Sequence, residues 1–270
     1  SSSEILATLS RPDRGSAKIA DIDVVKNPGE ARAKIGLTGQ FAAIDENLTG
    51  RENLELVGSL YHLPRALVKK RAQELLEKFS LTSAAKRLAR TYSGGMKRRL
   101  DVAASLIGEP EILFLDEPTT GLDPKSRLEL WEIIERLVHG GTTVLLTTQY
   151  LEEADRLSDN IVIIDKGKVV AEGTARSLKS KTGNNVLEVH IENIGDIDKA
   201  AEVLQKFNPH IDRNLGLLGM SLKAEEGTKQ LIEAVREIDS AGLKISDIEL
   251  RKPTLDEVFL TLTGNSNEPK

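Results

Sequence analysis

The chain has 270 residues, 39% of them hydrophobic, enough for one large domain plus a small one with a core of its own. Its 37 basic and 42 acidic side chains leave a net charge of −5, which argues against a polyanion-binding surface, so nucleic acid is not an expected partner. Cysteine is absent, which removes disulfides, thiolate metal sites and cysteine nucleophiles together and favours a reducing, cytoplasmic setting; no apolar stretch approaches the roughly 18 to 20 residues that cross a bilayer, and Ser-Ser-Ser-Glu at the start is no basic, apolar leader. A membrane role would need a partner chain.

Taken in order, Glu4 to Leu9 reads as the end of a helix, stopped by Arg11-Pro12-Asp13-Arg14-Gly15. Lys18 to Val25 reads as short strands around a turn, and Ala33 to Thr38 as a strand that exits at Gly39-Gln40-Phe41. From Thr49 the pattern turns helical: Leu54, Val57, Leu60 and Tyr61, then Val68, Ala72, Leu75, Leu76 and Phe79, recur at three- and four-residue intervals as core-facing stripes. Ser93-Gly94-Gly95 opens an amphipathic segment that runs to Ile107, so backbone N–H groups at a helix start can face an anion. Lys97, Arg98 and Arg99 on that segment are expected to form a solvated face.

Ile112-Leu113-Phe114-Leu115-Asp116-Glu117 is an apolar run ending in two adjacent acids, which places carboxylates at the mouth of a buried strand, where Mg²⁺ and an attacking water can be held. Pro124 starts a helix through Val138, Gly140-Gly141 ends it, and the β-branched strand Thr142 to Thr147 leads to Gln149. Ile161 to Ile164 and Val169 to Glu172 form a hairpin, so Gly167-Lys168 is a turn and not a phosphate loop. A polar Lys/Ser/Gly/Asn stretch from Ser180 to Asn185 marks the expected boundary, giving domains at 1–180 and 185–263. The second reads as strand, helix, strand, helix, strand and short helix from Leu255, a split βαβ, ferredoxin-like α+β module with no evident catalytic cluster.

Tyr92-Ser93-Gly94-Gly95-Met96, the strand ending Asp116-Glu117-Pro118, and Gly121-Leu122-Asp123 resemble, in order and spacing, the signature motif, Walker B strand and D-loop of ABC-type ATPases. YSGGM stands where that family more often has LSGGQ. Leu37-Thr38-Gly39-Gln40-Phe41, Leu48-Thr49-Gly50-Arg51-Glu52-Asn53-Leu54 and Leu146 to Asp155 place the likeness with the daunorubicin-resistance type of antibiotic exporter, and Leu250 to Leu260 resembles the end of the accessory domain that follows many such ATPases.

The resemblance implies a P-loop NTPase-like α/β nucleotide-binding fold with a helical subdomain at about 48–108. It implies ATP and Mg²⁺, with Asp116 and Gln40 at the metal, Glu117 as general base and Gln149 in the switch position where the family usually has His. Ser93, Gly94 and Gly95 would cap the nucleotide of a second copy or related subunit, with Asp123 at that seam. The partner would be a transmembrane permease, the location the cytoplasmic face of the membrane, and the task export of a drug-like or hydrophobic solute. No G-x-x-x-x-G-K-[ST] occurs in the sequence, and Ile5 to Asp13 matches the family segment just downstream of that loop. The expectation is an N-terminally truncated chain that binds ATP weakly by itself. The alternative is a partial subunit that hydrolyses nothing and lends its signature motif in trans or plays a regulatory part.

Overall fold

The computed structural model describes residues 2–39, 44–181, 184–212, 217–223 and 227–264. By contacts the chain divides into two compact units, Ser1–Leu157 and Ser158–Lys270.

In the first unit, α1 (Ser2–Leu6), a small hairpin of β1 (Lys18–Ile19) and β2 (Ile22–Asp23), and α2 (Pro28–Ala33) precede β3 (Ile35–Thr38). Two longer helices, α3 (Gly50–Leu60) and α4 (Arg65–Lys78), lead to α5 (Gly94–Ser105), and β4 (Ile112–Asp116), α6 (Pro124–His139), β5 (Thr143–Thr147) and α7 (Leu151–Leu157) complete the unit. The strands form a parallel sheet in the order β3-β4-β5, with Thr38 opposite Leu115 and Asp116 opposite Thr147. All three carboxyl ends therefore lie together, the edge at which open parallel sheets bind ligands. The run in β4 is apolar throughout because both faces are covered. Leu113 and Leu115 join the core packed by α3 to α6, while Phe114 points the other way into a smaller core with Ala7, Ile19, Val24 and Ala31.

Helix α3 starts at a capping box in which the Thr49 hydroxyl accepts from the Glu52 amide and the Glu52 carboxylate accepts from the Thr49 amide at 2.8 Å. The Thr49 amide first, and the Thr49 hydroxyl beside it, hold the Glu52 carboxyl below its usual range.

In the second unit, β6 (Ile161–Asp165) and β7 (Lys168–Gly173) form the expected hairpin, followed by α8 (Ala175–Lys181). Then come β8 (Asn184–Ile191), α9 (Ile197–Val203), β9 (His210–Asp212), β10 (Leu217–Lys223), α10 (Gly227–Ser240), β11 (Ile245–Arg251) and α11 (Leu255–Gly264). The order β11-β8-β10-β9, antiparallel throughout, is the ferredoxin-like arrangement of a βαββαβ chain. The short β9 completes it, and α9 with the following Leu204, together with α10, buries Ala200, Leu204, Ala234 and Ile238 in one core with Leu187, Val189 and Leu218.

Candidate nucleotide site

A cavity of about 140 Å³ opens at the carboxyl ends of the sheet, lined by Gly39 after β3, Phe114 to Asp116 on β4 and Leu145 and Thr147 on β5, with Ser3, Glu4 and Ala7 of the first helix region across from them. The Asp116 carboxylate is partly exposed and accepts a short hydrogen bond from the Thr147 hydroxyl of the neighbouring strand. Parallel register puts those two side chains side by side, which fixes the carboxylate at the strand mouth. Gln40, expected to follow β3 into this site, lies outside the described residues.

Glu117 leaves β4 with φ +45°, a left-handed conformation unusual for a residue with a long side chain. Its amide donates to the Thr147 carbonyl at 2.9 Å, while its Oε2 accepts from Gln149 Nε2 at 3.3 Å and from the Thr120 hydroxyl at 3.1 Å. The residues expected as base and switch are thus in hydrogen-bond contact although 32 positions apart in the chain. Gln149 donates without being able to gain a proton near neutral pH.

Ser93 and Gly94 are exposed at the start of α5, with Ser93 as N-cap accepting from the Met96 amide at 3.3 Å. Gly95 is buried, and a β-carbon there would sit 2.3 Å from Ser126 Oγ and 2.6 Å from Ser126 Cβ. The same Ser126 hydroxyl donates to Asp123 at 2.6 Å and its amide donates to Asp123 at 3.0 Å, which caps α6 and holds the Asp123 carboxyl below its ordinary range. The residues expected as signature motif and D-loop are packed together within one chain, with Ser93 left exposed. Tyr92, just before Ser93, is buried: its hydroxyl donates to the Ala84 carbonyl at 2.7 Å and closes against Gly50, where a β-carbon would meet it at 2.2 Å.

The expectation of a solvated basic face on α5 is corrected at Arg98, which is only 6% exposed. Lys97 pairs with Glu46, and Arg99 with Glu129 at 3.3 Å, whereas Arg98 points inward to backbone carbonyls and to Asp101 at 3.3 Å. Burial pushes its pKa down, and the charges of Asp101, Asp116 and Glu153 act against that. Glu153, fully buried, is a second polar residue that its sequence context did not reveal. Its Oε1 accepts from the Thr119 hydroxyl at 2.9 Å and from Trp131 Nε1 at 2.8 Å.

Among the described residues no group of three or more His, Asp or Glu is placed to hold a metal. The site instead offers Asp116 as a carboxylate beside an open cavity, the donor set that suits Mg²⁺ carried in with nucleotide phosphates.

The family description "ABC transporter" matches residues 2–120, and "ATP-binding protein DrrA1-3-like, C-terminal domain" matches residues 173–263. The chain is 50% identical over 266 residues to the daunorubicin resistance ATP-binding protein DrrA3 of Streptomyces coeruleorubidus, covering 98% of this chain and 84% of that protein. It is 46% identical to the doxorubicin resistance ATP-binding protein DrrA of Mycobacterium tuberculosis, covering 98% and 81%, and 34% identical to the linearmycin resistance ATP-binding protein LnrL of Bacillus subtilis, covering 94% and 82%. Among solved structures, an ATP-binding subunit of an ABC transporter aligns with TM-score 0.59 at 28% identity, over 67% of this chain and 76% of that one. A dimeric ATP-binding cassette in a post-hydrolysis state bound to ADP and Pi aligns with TM-score 0.56 at 26% identity, over 63% and 78%.

Sheet, strand-end acids and signature helix together define the nucleotide-binding component of an ABC transporter, an ATP-hydrolysing class whose members dimerise and work with transmembrane partners. More narrowly, the chain belongs to the daunorubicin-resistance family of ABC ATP-binding proteins, which ends in its own C-terminal domain.

Proposed function

We propose that the protein drives efflux of a drug-like or other hydrophobic solute through a separate permease, acting as a peripheral subunit on the cytoplasmic face of the membrane. The ATPase domain of this reading extends to about residue 180, with its helical subdomain at about 48–108, and the accessory domain covers 185–263. One observation carries the assignment of chemistry: Glu117 shares one carboxylate oxygen between Gln149 and Thr120, directly beyond Asp116 at the cavity.

In this reading Glu117 orients the attacking water and accepts its proton, while Gln149 steadies the carboxylate and donates toward the phosphate. Asp116 and Gln40 would hold Mg²⁺, which when bound offsets the charge that develops on the phosphates. Ser93, Gly94 and Gly95 present a hydroxyl and a helix start to the nucleotide of the opposite subunit, and Asp123 lies along the same seam. Relatives named for daunorubicin, doxorubicin and linearmycin resistance support the solute class. In the full-length protein, Glu117→Gln is expected to lower ATP turnover by roughly 10²–10⁴-fold, the usual worth of a positioned base, while ATP-dependent dimerisation persists. Turnover unchanged in that variant, read by phosphate release, would remove Glu117 from the role.

A further inference from the structure

Arg98 sits in the first turns of the signature helix with its guanidinium turned away from the surface that Ser93 shares. Its Nε donates to the Pro118 carbonyl at 2.8 Å, Nη2 to the Asp116 carbonyl at 2.9 Å and Nη1 to the Gly39 carbonyl at 2.5 Å. Two of these carbonyls bracket Glu117, the residue held at φ +45°. A strained backbone of this kind persists only where its surroundings over-determine it, and a planar fork with donors at fixed angles is suited to that task. The third carbonyl belongs to the exit of β3, directly before Gln40. Glu153 of α7 accepts from the hydroxyl of Thr119, so the successive residues Pro118 and Thr119 after Glu117 are held by two buried ionisable side chains.

We propose that Arg98 is a positioning residue for hydrolysis: it locks the left-handed turn that aims Glu117 and joins the signature helix, the exit of β3 and the Glu117 loop into one unit. Closure of a partner's nucleotide onto Ser93 then reaches Glu117 through a single side chain. The proposal rests on the reading of Glu117 as the base.

The test compares Arg98→Met and Arg98→Lys in the full-length protein. Arg98→Met is expected to lower kcat by roughly 100-fold, the cost of slight misplacement of a catalytic group, with KM for ATP within about 2-fold. Arg98→Lys, which keeps the charge but not the fork, should recover part of that loss. Because Arg98 acts through Glu117, the pair Arg98→Met with Glu117→Gln should be no slower than Glu117→Gln alone, whereas a general loss of folding would make the two effects add. Independently of turnover, amide hydrogen exchange should quicken at Leu37–Gly39 and Glu117–Thr120 in both Arg98 variants. Should Arg98→Met fail to fold, the same cycle run with Arg98→Lys decides. Additive losses, or unchanged kcat and exchange in Arg98→Lys, would overturn the proposal while leaving the base assignment standing. An unmutated protein without ATP turnover would instead overturn the functional reading first.

Discussion

A tight geometric demand falls on Gly95, where two helix starts meet. Its Cα faces Ser126 so closely that an added methyl would lie 2.3 Å from the Ser126 oxygen and 2.6 Å from its β-carbon. Ser126 cannot swing aside freely, because both its hydroxyl and its amide serve Asp123. Gly95→Ala should therefore force the start of α5 away from the start of α6, destabilising the protein by about 1–3 kcal/mol through overpacking. The urea midpoint checks this. Adding Ser126→Ala should not restore it, since the clash with the β-carbon remains. A Gly95→Ala protein as stable as the unmutated one would show that the two helix starts can separate at no cost.

At the scale of elements, three helices of the first unit start at a local side-chain cap: Ser93 for α5, Asp123 for α6, and the Thr49–Glu52 box for α3. Thr49→Ala removes one half of that box, and the expected loss is about 1 kcal/mol. Glu52 sets the pH dependence of the same cap. Its folded pKa is depressed, so its contribution is present above the ordinary value of 4.5 and lost as pH falls through that value and below. The gap in denaturation midpoint between Glu52→Gln and the unmutated protein should accordingly narrow in acid, where Glu52 also loses its charge, and a constant gap would place the effect elsewhere.

The Ser93 start of α5, the apolar run of β4 and the helical stripes of α3 and α4 were legible in the sequence because their causes are local or periodic. Less was legible where the cause is distant. The short α2 buries only Ala31, and β9 spans only His210–Asp212, so neither has room for a repeating pattern. Arg98 looked like one of three basic neighbours, for its partners are carbonyl oxygens 18 to 59 positions away, and a carbonyl has no residue-type signature. Glu153 follows Glu152 in an acidic helix start, and only tertiary packing against Trp131 and Thr119 makes one of them buried.

For the whole molecule, the decisive question is whether one chain completes a site. Ser93 and Gly94 are exposed at the start of α5, whereas Asp116 lines the cavity at the sheet edge, and among the described residues the Ser93 hydroxyl is engaged by the helix cap alone. If each signature helix serves the opposite subunit, then mixing full-length Ser93→Arg protein with full-length Glu117→Gln protein makes heterodimers in which one site carries both defects and the other carries none. Random pairing from equal amounts puts half of the dimers in that class, so the mixture should regain about a quarter of unmutated ATP turnover although each variant alone is inactive. A site built from residues of a single chain would regain nothing, because every chain in the mixture then holds a defect of its own. Turnover measured across mixing ratios separates the cases: recovery in trans peaks at equal amounts and vanishes at either end, while a flat, inactive series would mean that Ser93 and Glu117 work on the same nucleotide within one chain.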